Sequence, residues 1–235
     1  MATFVLVHGS WGGGWVWDRL RPLLEEAGHT VLTPTLTGLA ERHHLSAPDV
    51  GVSAHGQDIA ELLAFDRLED VILVGHSYGG MAITAAAALV PDRVGQVVYV
   101  DAFSPTTGDS AFSLVPWLEK AFAETPAPVE WEVAPLDPAL LGADEEGAAW
   151  LAGRLTPMPL RTHQEPLGPG SEQVLAAKPV SYFHCADQGF FADLIPSAQS
   201  RGFRIVGLTG INHIGLLTEP RTLADELLAL VPAAD

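Results

Sequence analysis

The chain has 235 residues, 48% of them hydrophobic and 17% charged, enough to bury one substantial core and too apolar for a disordered segment. Twelve Lys and Arg stand against 29 Asp and Glu for a formal charge of −17. With no basic run, this argues against nucleic acid or an anionic membrane surface as a partner.

The first hundred residues alternate between strand and helix patterns. Residues 4–7 form a short apolar run of the kind found in strands buried on both faces of a parallel sheet. Helical spacing follows over 15–26, stopped by Gly28, and a second strand is expected over 30–33, ended by Pro34. Ser53 is the expected N-cap of a helix through Asp58 to Leu63. Residues 71–74 form the third strand, 77–89 an Ala-rich helix and 94–100 the fourth strand. This rhythm predicts an α/β chain with a mostly parallel, doubly wound sheet. It breaks over 104–179, where prolines are frequent and aromatics recur at Phe112, Trp117, Phe122, Trp131 and Trp150. So long a structureless loop is improbable, so a mainly helical cap inserted in a single domain of residues 1–235 is the expectation. Its aromatics would line a cleft or form the cap's own core. Strand 180–185, helix 191–201, strand 203–208 and a closing helix over 218–230 complete the pattern.

The only cysteine is Cys185, which suits a reducing compartment. Met1 runs into an apolar strand with no basic region before it, unlike a signal peptide, and apolar stretches such as 81–90 are too short for a bilayer. The expectation is a cytoplasmic protein without a membrane partner.

Gly75-His76-Ser77-Tyr78-Gly79 lies between the third strand and the Ala-rich helix, the context in which G-x-S-x-G presents a nucleophile. A serine there must sit on a sharp turn, and side chains two positions away would clash. A serine hydroxyl needs a base, and in this fold the base follows the last strand. Among nine histidines, His213 occupies that place. Two acids end strands at the same sheet edge, Asp187 after 180–185 and Asp101 after 94–100. The usual order favours Asp187, with Asp101 as the alternative. The oxyanion donors are expected to be the amides of Tyr78 and of Ser10, in the Gly-rich turn after the first strand. That turn matches neither G-x-G-x-x-G nor the P-loop, and no His or Cys spacing suits a metal, so neither a cofactor nor a metal is expected.

The stretches Phe4–Gly9, Gly14-Trp15-x-Trp17 and Gly75–Gly80 resemble those of the methylesterase and hydroxynitrile lyase family of α/β-hydrolases, and more so bacterial esterases of the pyrethroid-hydrolase type. Residues 37–45 and Tyr99–Phe103 add to the likeness, while the cap matches loosely. Lyases of that family carry Thr after the first-strand His and Lys after the catalytic His; here those places hold Gly9 and Ile214. The resemblance therefore implies a cofactor-free serine carboxylesterase acting on a small-molecule ester, with a homodimer as an open alternative. A lyase or cyclase on the same residues and a non-catalytic binding protein remain as competing readings. Acidic cap residues, among them Glu119, Glu124, Glu130, Asp144, Glu145 and Glu146, outnumber Lys120, Arg154, Arg161 and Lys178, which points to neutral, apolar or aromatic esters. Gly189-Phe190-Phe191 departs from the family pattern and is expected to reshape the cleft beside Asp187.

Overall fold

The computed structural model describes residues 1–187 and 189–231. The elements in chain order are β1 (Thr3–Val7), α1 (Arg21–Glu26), β2 (Thr30–Leu32), α2 (Val52–Phe65), β3 (Val71–His76), α3 (Gly79–Leu89) and β4 (Val94–Val100). The inserted segment carries α4 (Ala111–Leu114), α5 (Trp117–Glu124), β5 (Glu132–Val133), α6 (Glu145–Leu151), β6 (Met158–Pro159), α7 (Arg161–Gln164) and α8 (Ser171–Ala177). The chain then returns through β7 (Val180–Cys185), α9 (Ile195–Ser200), β8 (Arg204–Leu208), α10 (Gly215–Thr218) and α11 (Arg221–Leu228).

Six strands form one sheet in the order β2-β1-β3-β4-β7-β8, all parallel. Their carboxyl ends therefore share one edge, where ligands bind in such sheets. β3 is buried throughout, and β1 at every position after Thr3, because helices cover both faces. On one face α2 and α3 bury Ile59, Leu63, Met81 and Ile83. On the other, Trp17, Leu24, Leu223 and Leu227 pack beneath α1 and α11. Gly56 lets α2 and α3 approach closely, since a Cβ there would stand 2.6 Å from the Cβ of Ala85.

Several helices differ from their periodicity. Residues 15–26 split into a 3-10 turn at Gly14–Trp17 and α1. The cap of α2 is Gly51, while Ser53 lies in the first turn and gives its hydroxyl to Glu165. Residues 191–201 begin as a 3-10 turn before α9, and 218–230 divide at Pro220 into α10 and α11. In three of these cases a proline outweighs the apolar period, and at Ser53 a long-range bond to Glu165 takes the hydroxyl. The cap is mainly short helices, with one antiparallel pair, β5 and β6, that its sequence did not announce.

The cap is tied down at several points. Trp11 Nε1 donates to Val133 O (3.2 Å), and the Arg154 guanidinium lies 3.9 Å from the Trp15 ring centroid. No helix among the described residues is long and apolar enough to cross a membrane.

Candidate active site

Ser77 stands at the junction of β3 and α3 with φ +55°, a left-handed conformation that strains a residue bearing a Cβ. This turn delays the start of α3 to Gly79. The flanking glycines are required by contact: a Cβ on Gly75 would lie 2.7 Å from the Gly79 carbonyl, and one on Gly79 2.5 Å from Val7 O. Phe103 N donates to Ser77 O (3.2 Å), and Ser77 N to Val100 O (3.3 Å). These bonds lock the serine turn to the end of β4.

That locking brings Asp101 into the site. Asp101 has φ +42° and is 1% exposed. Its Oδ2 accepts from His213 Nδ1 at 2.7 Å, and its Oδ1 from the Cys185 amide at 3.2 Å. Asp187, the acid favoured from chain order, lies elsewhere. It is exposed, and its Oδ2 accepts from the Gly210 amide at 2.6 Å, bracing the loop that carries His213 without touching the imidazole. The structure thus pairs His213 with Asp101, where the chain order had favoured Asp187. Both carboxylates reach the same sheet edge, but only the left-handed turn after β4 directs one sideways toward β7 and the His213 loop.

His213 is 4% exposed and enclosed by rings. Phe190 stacks on it at 5.4 Å and 16°, Phe191 lies tilted at 5.7 Å, and His76 packs at 4.3 Å. His76 Nε2 donates to His213 O (3.1 Å), which leaves His76 Nδ1 bare and unpartnered. Burial holds His76 well below the usual histidine range, reinforced by neighbouring His213, so it stays neutral.

On the other side of Ser77, the Gly9–Gly12 turn follows β1. A Cβ on Gly9 would lie 2.8 Å from that of Ser77, so the turn passes directly over the serine. His8 holds it in place: Nδ1 donates to Gly9 O (2.8 Å) and Nε2 accepts from Leu36 N (3.1 Å). Burial pushes His8 down to about 4, consistent with a fixed neutral tautomer. Neither the Ser10 nor the Tyr78 amide has an acceptor among the described residues. Ser10 Oγ lies 3.3 Å from His163 Nε2, and the His163 ring stacks on Tyr78 at 5.0 Å and 21°.

Above these groups is a cavity of about 60 Å³, lined by Ser77, His213, Ser10 and His163 and otherwise mostly by apolar side chains such as Leu118, Phe122, Phe190 and Ile214. Among the described residues, no Lys, Arg, Asp or Glu lines it. No group of three or more His, Cys, Asp or Glu among the described residues is arranged to hold a metal ion.

The model of the alpha/beta hydrolase family matches residues 4–226. The chain belongs to the alpha/beta hydrolase family. Within it, this hydrolase groups with esterases. It is 49% identical over 116 residues to a carbendazim-hydrolysing esterase of Nocardioides sp. (strain SG-4G), a match over 49% of this chain and 48% of that enzyme. It is 30% identical over 248 residues to methylesterase 8 of Arabidopsis thaliana, covering 97% of this chain and 88% of that protein. The chain thus spans about half the length of the first relative and most of the second. An extracellular α/β-hydrolase from a Paenibacillus species, described as sharing structural and functional homology with tobacco salicylic acid binding protein 2, superposes with a TM-score of 0.85 at 26% identity, over 99% of this chain and 100% of that one.

One feature of this α/β-hydrolase's site was out of reach of the motif reading. His163 has no motif around it, and its place in the cap hid its contact with Ser10. Among the cap aromatics, Phe122 lines the cavity, Phe112 packs behind it at 5.5 Å, and Trp150 packs on Trp15 at 5.0 Å. The departing segment at Phe190 and Phe191 does shape the cleft, by facing His213 rather than by altering Asp187.

Proposed function

We propose that the chain is a serine carboxylesterase for small neutral esters with apolar or aromatic groups, working through an acyl-enzyme on Ser77. One observation carries this reading: Ser77, on its strained turn, and His213, paired with Asp101 at 2.7 Å, open on the same uncharged cavity. His213 Nε2 takes the Ser77 hydroxyl proton as Oγ attacks the ester carbonyl. The bond to Asp101 commits the proton on Nδ1, so Nε2 is the free base, and the carboxylate stabilises the imidazolium that forms.

The oxyanion develops beside the unpaired amides of Ser10 and Tyr78, and the latter also opens α3, whose N-terminal field favours negative charge. Collapse of the tetrahedral adduct returns the proton from His213 to the leaving alkoxide. Water, deprotonated by the same imidazole, then attacks the acyl-enzyme, frees the acid and restores the serine. A cyanohydrin lyase is disfavoured because Ile214 lies in the cavity wall where those lyases carry a lysine, and no Lys or Arg among the described residues lines it.

The reading is tested by incubating the folded protein with a fluorophosphonate and by assaying p-nitrophenyl esters. A single adduct on Ser77 is expected, with turnover lowered at least ~10³-fold in Ser77→Ala. An adduct elsewhere, or full activity in the variant, would remove the proposal.

A further inference from the structure

We propose that His163, contributed by the cap, is a positioning residue that holds both halves of the oxyanion hole. The inference rests on the assignment of that hole to the Ser10 and Tyr78 amides. It follows from counting protons on a chain of buried polar atoms. Thr162 Oγ1 donates to Pro159 O at 2.7 Å, so its lone pairs face His163 Nδ1 at 2.9 Å, and that nitrogen must carry the imidazole hydrogen. His163 Nε2 is therefore bare. Ser10 Oγ, 3.3 Å away, has the only proton available to that contact, so the serine donates and the histidine accepts.

The second half is held by the same ring. His55 Nε2 donates to Thr37 O at 2.8 Å, so His55 Nδ1 accepts from the Tyr78 hydroxyl, also at 2.8 Å. That bond fixes the edge of Tyr78, and the stack on His163 fixes its face. Ser10 and Tyr78 are thus clamped from one side chain that is itself 1% exposed and wedged between Phe122 (4.8 Å) and Phe112 (5.7 Å). Burial lowers His163 to about 3, so the ring keeps its acceptor through neutral pH. A histidine serving only to fill the cap core would need Thr162 for its N–H. It would have no use for a bare nitrogen turned toward Ser10 in the cavity wall.

The arrangement makes oxyanion geometry depend on the cap being seated. Donors misplaced by a fraction of an ångström lose transition-state stabilisation while ground-state binding persists.

The test compares Ser10→Ala, His163→Phe, His163→Gln and the double variant Ser10→Ala/His163→Phe. It measures kcat and KM on a p-nitrophenyl ester and inhibition by an arylboronic acid that forms a tetrahedral adduct on Ser77. Ser10→Ala keeps the backbone N–H and leaves the cap core intact, so it carries the test even where a His163 variant fails to fold. Ser10→Ala and His163→Phe are each expected to lower kcat by about 10- to 100-fold with KM within about threefold, and to weaken the boronic acid by the same factor. The double variant should be no worse than either single one, because both remove one contact. His163→Gln, whose Oε1 can replace Nε2 as acceptor but which lacks the ring stacked on Tyr78, should recover part of kcat, above His163→Phe and below wild type. Wild-type kcat in Ser10→Ala, or a His163→Phe effect confined to KM or Tm, would overturn the proposal. Loss of the esterase reading itself would be seen separately, as a wild-type protein without turnover or an active Ser77→Ala.

Discussion

At the scale of single residues, the two acids have separable tasks. Asp101 accepts from His213 and is buried; Asp187 accepts from the Gly210 amide in solvent. Asp101→Asn would present an amide N–H to His213 Nδ1 and so favour the wrong tautomer. Its kcat/KM on p-nitrophenyl esters is expected to fall by ~10²- to 10⁴-fold. Asp187→Asn retains an acceptor for Gly210 and should lose less than about tenfold. The reverse ranking would return the acid to Asp187. Phe190 is open to a parallel measurement. Its ring stacks on His213 and lines the cavity, so Phe190→Ala should admit water to the imidazole and room to the substrate. The preference among p-nitrophenyl esters is expected to move toward longer acyl chains, with kcat on the acetate lowered; an unchanged chain-length profile would place Phe190 outside the substrate path.

At the scale of elements, the site depends on how closely α3 lies against its neighbours. A Cβ on Gly80 would stand 1.9 Å from Phe103 O, backbone that cannot rotate aside. Gly80→Ala must therefore shift α3 away from the turn after β4, the turn that also carries Asp101. The expected loss is about 1–3 kcal/mol of stability, read as a lower urea midpoint, together with a fall in kcat because Ser77 and Asp101 part. A variant with wild-type midpoint and activity would show that α3 can move without consequence.

At the scale of the whole molecule, several histidines are kept neutral by burial. His8 is pushed to about 4 and His163 to about 3, with His55 and His76 also lowered, and desolvation is the largest cause in each. In the unfolded chain these groups titrate near the ordinary histidine value of about 6.5. Below pH 6.5 the unfolded state therefore binds protons that the folded state refuses, and stability falls as pH drops toward the folded pKa values. The slope is about 1.4 kcal/mol per pH unit for each such histidine. Urea midpoints at pH 7.5 and 5.5 should differ clearly, the lower pH being less stable. Equal midpoints would mean that these rings take up protons in the folded state at little cost.

The sequence by itself determined the sheet, its parallel sense and the Ser77 turn, because buried runs, helical periods and a glycine-flanked serine are local patterns with local causes. It also placed His213 correctly on the loop after the last strand, and it flagged Phe190 and Phe191 as residues that reshape the cleft. The choice between Asp101 and Asp187 was left to the tertiary structure. Both follow strands ending at one sheet edge, and only the left-handed backbone at Asp101, locked through Phe103 and Ser77, turns a carboxylate onto His213. The approach of His163 to Ser10 was likewise invisible, since it joins residues 153 positions apart through a cap without a readable pattern. Side-chain direction and long-range contact are properties of packing, and packing decided which of the legible residues meet.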